Sequence, residues 1–111
     1  MSIYQPGIEG ETVSSSGKWT FVATQAAIAA GVVVIKGSPG RLCRVLVTTT
    51  LSATAVIIYD NATAGSGTVV GYIPASSAIG TILDFEMPCN NGITIAQASG
   101  LTTGSLTISW V

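Results

Sequence analysis

The sequence predicts an all-β domain, an antiparallel β-sandwich of about eight short strands, with a jelly roll as the candidate topology. Three observations lead there. Apolar residues alternate with period two in most apolar runs, as they do on strands with one buried face. Turn signals built from Gly, Pro, Asn and Ser recur every ~8–12 residues, the spacing of sandwiches and small barrels. No apolar stripe of helical period follows the strands, so a parallel α/β sheet has no support. The chain has 111 residues, with 13 Gly and 4 Pro, and its length fits one domain.

The elements follow in order. Residues 1–17 hold Pro6, Gly7, Gly10 and the run 14–17 of Ser and Gly, which is poor core material, and are expected to form an N-terminal arm. Ile3, Tyr4, Ile8 and Val13 give that arm its candidate partner contacts. The β-sandwich domain is expected over 18–111. Residues 19–24 alternate with Trp19, Phe21 and Ala23 on one face. The Ala-rich stretch Gln25 to Ala30 is short and reads as a linking segment or a single turn. Residues 31–36 form a β-branched strand. The turn Gly37-Ser-Pro-Gly40 then leads into a long strand over 41–50, and the two strands are expected to make a hairpin. On the long strand Cys43, Val45 and Val47 fall on one side, and Leu42, Arg44 and Leu46 on the other.

Thr54 to Tyr59 is a further strand, the polar loop Asp60–Gly67 follows, and residues 68–73 return. Residues 79–87 alternate, with Leu83, Phe85 and Met87 opposed to Asp84 and Glu86. Asn90-Asn-Gly92 turns the chain into 93–96, and the last strand spans 105–111 with Leu106, Ile108 and Trp110 on one face. The expected core comprises Trp19, Phe21, Val45, Val47, Ile57, Leu83, Phe85, Ile108 and Trp110.

Charge is the most informative global property. Hydrophobic residues make up 48 % of the chain and charged residues only 8 %, against roughly 25 % in an ordinary soluble protein. A solitary protein keeps apart from its neighbours by surface charge. An exterior of Ser, Thr, Gly and Ala, or cover by other subunits, has to stand in for it here. Clustered Lys and Arg are missing, which argues against a nucleic-acid partner. The longest apolar run, 26–35, is too short for a bilayer, which takes about 20 residues, so no membrane partner is expected. The first residues lack the basic and apolar regions of a secretory signal, and synthesis in a host cytoplasm is expected. Cys43 and Cys89 are then expected as reduced thiols rather than a disulfide.

Residues able to carry chemistry are few, and the chain is not expected to be an enzyme. There is no His. Asp84 and Glu86 share a strand face as a glycosidase pair could, but they also fit the wet side of an amphipathic strand. Arg41 and Arg44 beside Cys43 could lower a thiol pKa, although no base is at hand. Gly37–Gly40 lacks the Lys-Ser/Thr pair of a phosphate loop. Trp19 and Trp110 could stack on a sugar, with core packing as the simpler role. The loops Asp60–Gly67 and Pro88–Gly92 offer one carboxylate between them, too few for calcium. No cofactor or metal is expected.

From Gly37 to Thr50, again over Val56–Ala62, Tyr72–Pro74 and Asp84–Ile95, and finally over Leu106–Val111, the chain resembles small virion structural proteins of tailed bacteriophages. The group includes capsid decoration (cement) proteins and head, neck or tail accessory proteins. The resemblance implies a sandwich or jelly-roll fold, a homo-oligomer (often a trimer), and the major capsid protein or other virion proteins as partners. The leading expectation is a decoration protein on the capsid surface that ties shell subunits together. The alternatives are a neck adaptor and a fibre or receptor-binding module. The last would recognise a host glycan through the loops Asp60–Gly67 and Ala75–Gly80, with Tyr59 or Tyr72.

Overall fold

A computed structural model describes residues 18–96 and 100–111. Its elements are β1 (Trp19–Ala23), α1 (Gln25–Ala30), β2 (Val33–Lys36), β3 (Gly40–Thr49), β4 (Val56–Asp60), β5 (Thr68–Ile73), β6 (Ile82–Cys89), β7 (Ile93–Ile95) and β8 (Ser105–Trp110). They form two four-stranded sheets. Sheet I has the order β1-β8-β3-β6 and sheet II the order β2-β7-β4-β5. Every strand pair is antiparallel. Among the described strands only β4 and β5 are consecutive neighbours within one sheet. All other links cross between the sheets, and the resulting order is that of a jelly roll.

That order corrects the expected hairpin over 31–50. β2 pairs with β7 in sheet II, whereas β3 pairs with β6 and β8 in sheet I. The turn at 37–39 therefore joins two sheets. Turn chemistry at Gly and Pro shows that the chain bends there, but not which partner a strand finds. The proposed linking segment at 25–30 is a short helix. Thr24 caps it, its Oγ accepting from the Ala27 amide at 3.3 Å, and Ile28 anchors it in the core.

The core lies between the sheets. Sheet I supplies Ala23, Leu42, Val45, Val47, Leu106 and Ile108, and sheet II supplies Ile35, Val56, Ile58, Ile73, Ile93 and Ile95. Val45, Val47 and Ile108 are buried as expected, and Phe21, Leu83, Phe85 and Trp110 pack against the core while partly buried. Two expectations fail. Trp19 is 53 % exposed: it opens an edge strand, and its ring leans on Trp110 with centroids 6.3 Å apart. Ile57 points outward beside Tyr72, and its neighbours Val56 and Ile58 enter the core instead.

One irregularity explains the rest. Leu42 pairs with Met87 but Arg44 pairs with Asp84, so Phe85 and Glu86 of β6 stand opposite Cys43 alone. This is a β-bulge, and Glu86 takes a φ of +52° to make it. Against β8 the extra residue lies on β3 instead, since Leu42 faces Trp110 and Arg44 faces the next residue, Ser109, with Cys43 passed over in the register. The bulge inverts the alternation, turning Leu42 inward from the solvent side assigned to it and leaving Met87 exposed.

Candidate interaction surface

Of the nine ionised side chains, the described residues include seven, and the fold disposes them unevenly. Arg44 and Asp84 pair across β3 and β6 on the outer face of sheet I. Beside them on the bulge, the Arg41 guanidinium donates to the Glu86 carbonyl at 3.0 Å. Lys18 leads into β1 with its ammonium 5.6 Å from the centre of the Trp19 ring. Lys36 and Asp60, at strand ends in sheet II, both have inward parity, opposite Ile93 and two residues beyond Ile58 respectively. The Lys36 ammonium lies over the Trp110 ring at 5.2 Å.

Asp60 is spent on the backbone. Its Oδ2 accepts from the Asn90 amide at 3.0 Å, and its Oδ1 from Asn91 at 2.8 Å and Gly92 at 3.3 Å. Desolvation pushes its pKa up, but the three amides outweigh that and hold the carboxyl below its ordinary value. The two loops weighed as a calcium site do meet here. Their one carboxylate is already filled with amide donors, so the donor set does not fit a cation. Among the described residues no group of three His, Cys, Asp or Glu comes together as metal ligands.

What remains on the outside of sheet II carries no charge. Pairing aligns Val34, Thr94, Tyr59 and Val69 in one row across all four strands. Ile57 and Tyr72 form a second, shorter row. Tyr72 is 52 % exposed, Val69 47 % and Val34 41 %. Thr94 is covered because its hydroxyl donates to the Asn61 carbonyl at 2.6 Å. That contact places the start of the 61–66 loop over Thr94, between Val34 and Tyr59 in the row, as an uncharged rim. Asn61 holds the rim's shape, its Oδ1 accepting from Thr63 and Ala64 at 2.9 Å and its Nδ2 donating to Ser66 at 3.0 Å. Sheet I differs. Its apolar row Val22, Thr107, Leu46 and Ile82 lies beside the polar row Thr20, Ser109, Arg44 and Asp84.

An exposed, uncharged face with two tyrosines has the composition of an interface centre, where charge is depleted and aromatics are enriched. The sequence reading named Tyr59 and Tyr72 but not the face they share. A signal was present: the stretches 32–35, 56–59 and 69–73 are apolar at both parities, which a one-sided strand does not need.

The other candidates fare as follows. Ile3, Tyr4, Ile8 and Val13 lie outside the described residues. The loops 60–67 and 75–80 stand at opposite ends of β5 and do not form one surface. The bulge gives Asp84 and Glu86 unlike settings, with Asp84 on Arg44 and one Glu86 oxygen buried without a partner. Cys43 and Cys89 are free and buried. Burial pushes the Cys43 thiol up, Glu86 adds to this, and Arg41 and Arg44 only partly offset it. A thiol so placed is no nucleophile at neutral pH. Among the described residues no helix is long and apolar enough to cross a membrane. Compared with known proteins, the chain matches no family model, no curated protein and no solved structure.

Proposed function

We propose that the protein is a structural subunit of a bacteriophage particle, a capsid decoration protein that docks through the outer face of sheet II. The observation that carries this reading is the segregation of charge. Every described ionised group is on sheet I, at a strand end or in the Asp60 clamp, and sheet II is left bare. Such a face wastes nothing when covered, because no charge has to be desolvated. Its burial contributes roughly 25 cal/mol per Å2 before association costs are subtracted. Repetition over a shell multiplies weak contacts by avidity. The jelly roll suits the role but does not select it, since lectins and other binding domains share it. The phage setting rests on the resemblance of the segments over 37–111.

The test compares particles assembled with and without the protein. Loss of heat resistance in the depleted particles, restored by the wild-type chain but not by Val69→Lys, is the expected result. Particles indifferent to its absence would remove the decoration role. Counting copies separates the shell, with hundreds, from the neck or tail, with about a dozen or fewer.

A further inference from the structure

We propose that Asn91 is a latent site of spontaneous modification, held closed by Asp60, so that opening of this end of the sandwich is written irreversibly into the chain. This goes beyond the proposed function and holds whatever covers sheet II. The chemistry is deamidation, with water as the one co-reactant. The Gly92 amide nitrogen loses its proton and attacks the Asn91 Cγ, forming the N–C bond of a five-membered succinimide. The Cγ–Nδ2 bond breaks, and the side-chain nitrogen leaves with that proton as ammonia. Water then opens one of the two imide C–N bonds, leaving aspartate or isoaspartate at 91. No electrons change hands overall. A side chain on the following residue crowds the attacking nitrogen, so the neighbour decides which asparagine reacts. Asn61 precedes Ala62 and Asn90 precedes Asn91, whereas Asn91 precedes a glycine.

The fold leaves the Asn91 side chain exposed but blocks the first step twice. The Gly92 amide donates to the Asp60 Oδ1 at 3.3 Å, and the same oxygen accepts from the Asn91 amide at 2.8 Å while Oδ2 accepts from the Asn90 amide at 3.0 Å. Removing the Gly92 proton would break a charge-assisted hydrogen bond and set a second negative charge beside the carboxylate. Closing the ring also requires the 91–92 backbone to turn. Gly92 is packed against the backbone of Lys36, Asn61 and Ala62, with no room even for a Cβ. Both restraints vanish together when Asp60 releases the 90–92 amides. Once reaction has occurred, the junction does not reclose as it was. Aspartate adds a like charge to a turn held by a carboxylate, and isoaspartate adds a backbone atom where there is no slack.

Peptide mapping of the full chain by mass spectrometry, after incubation at mildly alkaline pH, follows conversion at 91. Folded wild type should convert at least about a hundredfold more slowly than the same chain in guanidinium chloride, because reaction waits for opening. Asp60→Ala, still folded by circular dichroism, should convert at least about tenfold faster than wild type, and Asp60→Asn, which keeps one neutral acceptor, should fall between them. Ile108→Ala empties a fully buried position on sheet I and lowers global stability with the clamp intact. It should accelerate conversion less than Asp60→Ala. A folded wild-type rate close to that of the unfolded chain overturns the proposal, as do equal rates in wild type and Asp60→Ala. Equal acceleration by Ile108→Ala and Asp60→Ala would mean that reaction waits for global unfolding, which removes the role of the clamp. The wild-type comparison decides the matter should Asp60→Ala fail to fold.

Discussion

Replacing Gly92 by Ala tests the junction that fixes one end of the sandwich. A Cβ built at Gly92 would lie 2.6 Å from the Lys36 carbonyl oxygen, 2.8 Å from the Ala62 Cα and 2.9 Å from the Asn61 carbonyl oxygen. All three are backbone atoms on two different segments, and none can rotate away. Relief requires the 36–37 and 61–62 chains to separate, which also strains the bond from Thr94 to Asn61 and the Asp60 clamp. Overpacking costs about 1–3 kcal/mol in general, and backbone on three sides puts this case at the top of that range. The stiffer unfolded chain returns about 0.4–1 kcal/mol, leaving a net loss of about 2–3 kcal/mol. Gly71→Ala is the internal control. There the new Cβ meets the Leu42 Cδ2 at 2.9 Å and Ile58 side-chain atoms at 3.3 Å. A methyl at the end of a leucine can turn aside, so about 0–1 kcal/mol is expected. At about 4 °C per kcal/mol for a chain of this size, thermal unfolding should drop by about 10 °C for Gly92→Ala and by less than about 4 °C for Gly71→Ala. A Gly92→Ala midpoint within about 2 °C of wild type, or the reverse ranking, would refute the idea that these loops are locked by backbone contact.

Three further outcomes follow from the same packing and electrostatics. Ile58→Ala removes a fully buried side chain from an interior strand of sheet II, and urea unfolding should show a loss of about 2–5 kcal/mol. The Asp60 carboxyl, opposed by desolvation but held low by the Asn91, Asn90 and Gly92 amides, contributes stability that is complete above its ordinary value of 3.8 and is lost as pH falls through its lower folded value. Urea midpoints measured downward from about pH 5 should therefore fall more steeply in wild type than in Asp60→Asn; parallel curves would mean that the clamp does not discriminate between the two states of the acid. Burial raises both thiols, so a disulfide reagent at neutral pH should label Cys43 and Cys89 only at the rate of unfolding, and rapid labelling of the native protein would contradict their placement.

Local pattern located most strands, because alternation and turn residues are short-range signals. Residues 19–23, 68–73, 82–89 and 105–110 needed no knowledge of partners. Partner choice is long-range, and there the sequence misled. Adjacent strands joined by Gly37–Gly40 look like a hairpin until the jelly-roll order sends them to different sheets. Parity failed where a bulge intervened. Nothing in 84–87 announces that two residues of β6 will face Cys43 alone, yet at that step Leu42 and Cys43 are both buried, where strict alternation would separate them. Trp19 misled for another reason: hydrophobicity predicts burial only where the opposite sheet offers cover, and an edge strand's first residue has little. The candidate site was legible in part. The low charge gave the need for a covered surface, and the doubly apolar stretches around Val34, Ile57 and Val69 held its location. Joining them required the register of four strands that are distant in sequence.

The two sheets solve opposite problems with the same sparse set of ions. On sheet I the ion pair of Arg44 with Asp84 and the bulge charges keep the apolar row at Val22, Leu46 and Ile82 from being continuous with other exposed apolar surface. The bulge, with Pro88 and two carboxylates on β6, also makes that edge a poor template for a foreign strand. On sheet II the two groups best placed to protect the face are withdrawn from it, Lys36 onto the Trp110 ring and Asp60 into the 90–92 turn. Both placements leave the outer face of sheet II without a charge, which is what the proposed docking role requires. Val34→Glu, which restores a guard at the far edge of the row, should accordingly raise the solubility of the free protein while weakening whatever contact the face makes. A variant more soluble and equally able to associate would separate the two properties and dissolve the link between bare surface and assembly.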